Sequence, residues 1–150
     1  MPTSLPTPAS DQLLETLAEF RYELRRFLQY SETAARAAGL EPQQHQLLLQ
    51  LAGAPAGTAA TIAFAAERLG LKHNSAVELV DRCEREELLI RTTDLADKRC
   101  TILRFTRKGS QLLASLTRDH ARELNERAPL LLRTLKRVQT HATAAGSSRS

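Results

Sequence analysis

Asp97, Lys98 and Arg99 are three consecutive charged residues between two β-prone segments. A cationic tip of this kind could bind phosphate oxygens, and an arginine could also enter a DNA minor groove, where the potential is most negative. The alternative interpretation is a solvated turn that binds nothing. The tip is therefore a candidate phosphate-binding site.

A second polar cluster lies at the start of a helix predicted for about residues 74–86. His73, Asn74 and Ser75 are short hydrogen-bonding side chains that could reach base edges, and Asn can pair bidentately with adenine. The alternative for Asn74 and Ser75 is that they only cap the helix. Thr61 precedes another predicted helix, whose unpaired N–H groups could bind a phosphate.

The sequence lacks the residue patterns of common catalytic sites. It has no Gly-rich phosphate loop, no His/Cys set with metal-ligand spacing and no nucleophile motif such as GxSxG. Its two cysteines, Cys83 and Cys100, form no CxxC pair, and so few cysteines indicate a reducing compartment. We therefore expect no catalytic residues, no cofactor and no metal site, and hence no enzyme.

Length and composition restrict the partner classes. The 150 residues, 42% of them hydrophobic, are enough for one compact domain, and the net charge of +4 favours a polyanionic partner. Aromatic residues make up only 4% and Trp is absent, which argues against surfaces that stack single strands or RNA. No signal peptide and no membrane-length apolar run is recognisable. We expect a cytoplasmic protein with no membrane role.

The remaining patterns predict mostly helices. Apolar residues at spacings of three and four predict one long helix over about residues 11–38, closed by Gly39. Pro42 starts a second helix, and Pro129 is predicted to separate two C-terminal helices. Residues 1–10 and 140–150 are small, polar or Pro-rich, and are predicted to be disordered tails.

Residues 61–86 have the pattern of two helices joined by a tight turn. Gly70 can adopt the positive φ of that turn, and Ala66, four residues earlier, lets the helices approach each other. The other positions expected to be buried are Ala65, Leu69, Leu71, Ala76 and Leu79. A structural helical hairpin is the alternative. However, β-prone segments at 88–93 and 100–105 follow directly, and this order is that of a winged helix.

These motifs are similar to those of the MarR family of bacterial transcription regulators. In that family an Asp-x-Arg element in the wing precedes an apolar-Thr-x-x-Gly element at a fixed spacing. This sequence supplies Asp97, Arg99, Phe105, Thr106 and Gly109. Residues 40–51 and 73–82 also resemble the family's second helix and recognition helix, and the resemblance covers about residues 11–138.

The resemblance implies a mainly α fold with a small β-hairpin wing, in which a winged helix-turn-helix lobe joins a helical dimerisation region. It implies an N-terminal dimerisation helix at 11–39, a DNA-binding domain at 40–106 and C-terminal dimerisation helices at 107–139. The expected function is that of a homodimer on a palindromic DNA duplex, a repressor released by a small aromatic or phenolic effector.

The resemblance also implies two sets of site residues. The DNA-binding set comprises helix starts and the wing tip, where Asp97 would orient the arginine: Thr61, Lys72, His73, Asn74, Ser75, Asp97, Lys98 and Arg99. The effector-binding set comprises aromatic residues of the first helix and one histidine of the second: Phe20, Phe27, Tyr30 and His45. For His45 a core histidine is the favoured alternative.

The sequence departs from the family pattern in its charges. Residues 72–87 hold three basic and five acidic residues, net −2, whereas residues 91–109 hold six basic and two acidic residues, net +4. We predict that the recognition helix repels DNA along its C-terminal half and that the wing supplies most of the salt-dependent affinity. The acidic helix leaves open a winged-helix module that binds protein instead of DNA.

Two loop positions also depart from the family pattern, and the two cysteines need a separate interpretation. Glu87 replaces a glycine that the family usually places after the recognition helix, and Leu95 stands in the wing where proline is common. Cys83 is predicted to be a small core residue, and Cys100 lies on a wing strand. A cysteine-based redox-sensing regulator remains a further alternative.

Overall fold

The computed structural model describes residues 8–147, and the side chains of residues 11–144. The helices are α1 (Pro8–Ala37), α2 (Pro42–Ala52), α3 (Ile62–Leu69), α4 (His73–Arg85) and α5 (Arg107–Ser147). The strands are β1 (Leu89–Thr93) and β2 (Thr101–Phe105). The chain divides into two compact units: residues 32–119, called the lobe below, and the residues up to 31 with those from 120, called the helical unit.

The lobe contains the predicted helix-turn-helix. Gly70 has φ +64°, the left-handed conformation expected of a turn glycine, and the Leu71 N–H donates to the Ala66 carbonyl over 2.9 Å. Ala65 and Ala76 are completely buried, so α3 and α4 can pack closely. Buried leucines from α2, α4 and the hairpin complete one core: Leu47, Leu48, Leu51, Leu79, Leu88, Leu89 and Leu103.

β1 and β2 form the predicted antiparallel hairpin, with Leu89 opposite Phe105 and Thr93 opposite Thr101. The strands begin one residue later than the sequence indicated and end where it placed their ends. The Leu103 N–H also donates to the Ala60 carbonyl over 2.8 Å, which ties the hairpin to the residues before α3. The mainly α fold with a small β wing is therefore confirmed.

Thr106 and Gly109 connect the wing to α5. The Thr106 hydroxyl lies 2.5 Å from the Glu87 carbonyl oxygen and accepts the Gly109 N–H over 3.0 Å. A Cβ on Gly109 would lie 2.1 Å from the Leu88 carbonyl oxygen, so only glycine fits here. Glu87 itself has φ +58°. Its backbone thus adopts the left-handed conformation that a glycine would favour.

In the helical unit, α1 and α5 contact each other through polar side chains. Arg127 lies 3.0 Å from Glu23 of α1 and 2.6 Å from Glu123 of its own helix, and all three side chains are largely buried. His120 Nε2 of α5 lies 2.8 Å from Ser31 Oγ of α1.

The structure differs from the sequence predictions at both ends. α5 continues through Pro129, so the prediction of two C-terminal helices is wrong. A proline inside a helix removes one backbone hydrogen bond, and the longer helix absorbs that loss. α5 also continues to Ser147, whereas a disordered tail was predicted from residue 140. This stretch contains Ala142 and Ala144, and alanine is a strong helix former. At the other end, residues 8–10 belong to α1, and residues 1–7 lie outside the described residues.

Candidate DNA-binding surface

The first turn of α4 presents a row of exposed polar side chains. Lys72 is the N-cap residue and makes no side-chain cap hydrogen bond. His73, Asn74 and Ser75 follow as the first three residues of the helix, and all four side chains are exposed. Asn74 and Ser75 are therefore not the helix cap, which removes the alternative proposed for them from the sequence. The opposite face of α4 is buried in the core: Ala76, Leu79, Val80 and Cys83.

Thr61 is the N-cap of α3, the helix that it was predicted to precede. Its hydroxyl oxygen accepts the Phe64 N–H over 3.1 Å, and the residue is half-buried. The hydroxyl hydrogen can still be donated, because capping uses only the oxygen's acceptor capacity. A phosphate contact by Thr61 stays a prediction.

The wing tip is a turn closed by side-chain to backbone hydrogen bonds. Asp97 Oδ1 accepts the Arg99 N–H over 3.0 Å, and the Arg99 guanidinium lies 3.5 Å from the same oxygen. The Arg99 side chain is nevertheless 95% exposed. An ion pair this exposed contributes little energy, so the guanidinium is available to a stronger anion. Asp97 thus holds the backbone that carries Arg99, and its role in orienting the guanidinium toward DNA stays a prediction.

Arg91 of β1 binds two carboxylates of α4. Its guanidinium lies 2.6 Å from Asp81 and also contacts Glu84. The hydrogen bond with Asp81, together with the charges of both acids, raises the pKa of Arg91 above its usual value. This cluster fastens the hairpin to α4, because β1 carries the cation and α4 carries both anions.

The Arg91 cluster changes the charge balance inferred from the sequence. Asp81 and Glu84 face Arg91, and Glu86 accepts a hydrogen bond from Gln44 Nε2 over 2.9 Å. Three of the five acidic residues of segment 72–87 therefore have partners within the lobe. Arg91 on β1 is likewise occupied. The tip itself carries two cations, Lys98 and Arg99. Sequence analysis missed this pairing, although Asp81 and Glu84, three residues apart, share one face of a helix.

The two cysteines differ in environment, and both are free thiols. Cys83 is completely buried, as predicted, and burial raises the pKa of its thiol to about 12. Since the thiolate is the form that reacts with oxidants, Cys83 is unsuited to redox sensing. Cys100 is half-buried and immediately precedes β2 instead of lying on a wing strand as predicted. Among the described residues, no group of three or more His, Cys, Asp or Glu side chains could hold a metal ion.

The predicted effector-binding residues fall in both units. Phe27 and Tyr30 of α1 contact the His120 ring edge-on, with ring centroids 6.1 and 5.6 Å apart, and Phe20 is half-buried on the same helix. These aromatic residues belong to the helical unit. His45 belongs to the lobe, where its side chain is almost completely buried in α2. That position agrees with the core interpretation favoured from the sequence.

Residues 38–99 match the sequence model of the MarR family. Over 65 residues the chain is 37% identical to the HTH-type transcriptional regulator MhqR of Bacillus subtilis, a match that covers 43% of this chain. The matched region spans 45% of MhqR, less than half of its length. These matches are to transcription regulators, in agreement with the expectation that the chain is not an enzyme.

Solved structures show the same fold at low sequence identity. MarR family transcription regulator SP03579 has a TM-score of 0.71 and 20% identity, over 94% of this chain and 96% of its own. The transcriptional regulator MOSR of M. tuberculosis, solved in complex with DNA, has a TM-score of 0.54 and 21% identity, over 87% of this chain and 95% of its own.

Proposed function

Because residues 38–99 match the sequence model of the MarR family, we propose that the chain is a MarR-family transcription regulator that binds double-stranded DNA as a homodimer. The first turn of α4 would enter the major groove, and the wing would contact the phosphate backbone or the adjacent minor groove. Acting on DNA in the cytoplasm agrees with two free cysteines, which suit a reducing compartment.

The observation that carries this proposal is the pair of exposed polar surfaces on the lobe. One is the start of α4, with Lys72 to Ser75, and the other is the wing tip, with Lys98 and Arg99. Arg91 links the elements that carry them. Two surfaces joined by these ion pairs can contact one duplex together, with a smaller entropic cost than two surfaces that are ordered separately.

A homodimer is supported by apolar side chains exposed in the helical unit. On α1 and α5 these are large leucines: Leu14, Leu17, Leu28, Leu124, Leu132 and Leu135. A second copy of the chain would bury them, and two-fold symmetry would repeat the α4 surface at a spacing of about 34 Å, one helical turn of DNA. The DNA site would accordingly be palindromic.

We further propose that the protein represses transcription and that a small aromatic or phenolic effector releases it from DNA. Support comes from the ring cluster of Phe27, Tyr30 and His120, which offers aromatic faces beside hydrogen-bonding groups. The measurement is DNA affinity in the presence of phenol as a probe, where the expected result is weaker binding. Equal affinity with saturating phenol would contradict a phenolic effector.

DNA binding itself is tested by fluorescence anisotropy of the purified chain with a random duplex, followed by selection of bound sites. We expect binding that weakens steeply as salt rises, and selection of a palindrome. A module that binds protein instead of DNA would leave the fluorescence anisotropy of the duplex unchanged, even at low salt. Sedimentation at micromolar concentration tests the homodimer, which a monomer would contradict.

A further inference from the structure

Leu95 is the most exposed large apolar side chain among the described residues. It is 95% exposed, whereas the next, Leu132, is 57% exposed. Leu132 and most of the other exposed leucines lie on α1 and α5, where a second copy of the chain would cover them. Leu95 lies instead at the wing tip, on neither of these helices, so a dimer formed through α1 and α5 does not by itself account for its exposure.

The tip around Leu95 is held in a defined turn. The Asp94 N–H donates to the Cys100 carbonyl over 2.9 Å, which closes the tip around residues 95–99. Asp94 Oδ1 accepts the Ala96 N–H over 3.0 Å, and Asp97 Oδ1 accepts the Arg99 N–H. Leu95 is thus displayed by the same short turn as Lys98 and Arg99, and both carboxylates of the turn bind its own backbone.

We propose that Leu95 enters the DNA minor groove beside Arg99 and makes an apolar contact there. This inference rests on the proposed DNA binding. The two cations would bring the tip to the phosphates, and a leucine at such a tip can pack between the sugar walls or wedge against a base step. A partner protein is a weaker candidate, because the rest of the tip is cationic and polar rather than apolar.

The proposed contact gives the wing a means of base discrimination. In the minor groove, A·T pairs show only acceptors, whereas G·C pairs add the guanine N2 amino group. A leucine packed there would collide with that amino group and leave its hydrogen unbonded. Leu95 is therefore expected to disfavour purines that carry a minor-groove amino group where the wing binds.

The experiment uses the full chain and the duplex selected from a random library. In a second version of this duplex, adenine is replaced by 2,6-diaminopurine in the flanking base pairs, where the wing is expected to bind. The replacement adds an N2 amino group in the minor groove and keeps the major-groove groups of adenine. The wild-type protein is expected to bind this duplex about tenfold more weakly, as expected for losing part of the burial of one leucine. Leu95→Ala should bind both duplexes equally and keep the wild-type salt dependence.

Two control variants separate this inference from the proposed function. Leu49→Ala removes another exposed leucine, on α2, and should discriminate like wild type. Arg99→Ala should weaken the salt dependence while retaining discrimination between the two duplexes. If Leu95→Ala discriminates as strongly as wild type, the Leu95 contact is wrong although DNA binding stands. If the wild-type protein binds no duplex at low salt, the proposed function itself fails.

Discussion

Replacing Arg99 by Ala is expected to reduce the salt dependence of DNA binding without unfolding the lobe. The side chain is 95% exposed, and the carboxylate of Asp97, with which it forms an ion pair, lies 3.5 Å away. Removing an exposed pair of this kind changes stability little. Any large effect of the substitution on affinity therefore reports a contact with DNA.

The magnitude follows from counterion release. Each phosphate neutralised on duplex DNA contributes about 0.9 to the slope of log affinity against log salt. A dimer loses one Arg99 from each protomer, so the slope should fall by about 1.8. Between about 50 and about 200 mM salt, wild-type affinity should then drop about 12-fold more than that of the variant. Adding Lys98→Ala should reduce the slope by a similar further amount.

Arg91 provides the matched control, because it is a cation of the same segment with partners inside the lobe. The double variant Arg91→Ala with Glu84→Gln removes that cation but keeps the net charge of the cluster at one negative charge. Its salt slope, measured by fluorescence anisotropy over the same salt series, should match wild type. The assignment of the wing tip is refuted if the Arg99→Ala slope stays within about 0.5 of wild type, or if the double variant loses as much.

Three further predictions concern stability and assembly. Gly109→Ala should destabilise the protein by about 2 kcal/mol or more in urea unfolding, because the added Cβ would overlap the Leu88 carbonyl oxygen. The control Ser110→Ala changes an exposed residue and should alter the free energy of unfolding little, so equal stability of both variants would contradict the close contact. Glu87→Gly should raise the free energy of unfolding by about 0.5 kcal/mol, because relief of the left-handed backbone exceeds the entropic cost of glycine; a destabilised variant would count against strain at φ +58°. Leu132→Glu should convert the dimer into a folded monomer in sedimentation at micromolar concentration, and a persisting dimer would remove Leu132 from the proposed interface.

The parts of the fold that depend on local patterns could be predicted from the sequence. The helix-turn-helix follows from Gly70 and the small residues around it, since a positive φ and a close helix contact each restrict the residue type. The hairpin follows from two β-prone segments and the charged tip between them. Pro129 was misinterpreted because a proline is compatible both with a helix start and, at the loss of one hydrogen bond, with a helix interior.

The parts that depend on contacts across the fold could not be predicted. From the sequence, Arg91 adds a positive charge to the wing and Asp81 adds a negative charge to α4. In the structure these two side chains form an ion pair with each other. Net charge per segment assigns each residue to its own element, whereas ion pairs form between elements. The same limit applies to the helical unit, where Glu23 and Arg127 are more than 100 residues apart and share one buried pair.

The wing signature combines two devices with different physical tasks. Asp97 and Arg99 form the first, an exposed tip in which a carboxylate binds backbone and a guanidinium extends into solvent. Thr106 and Gly109 form the second, a junction in which a hydroxyl caps α5 and a missing Cβ admits the Leu88 carbonyl. Substitutions in the first should change DNA affinity at constant stability, because exposed side chains contribute little to folding. Substitutions in the second should change stability and alter affinity only through the folded fraction. The two halves of the signature are therefore expected to serve two separate tasks, the first DNA recognition and the second folding.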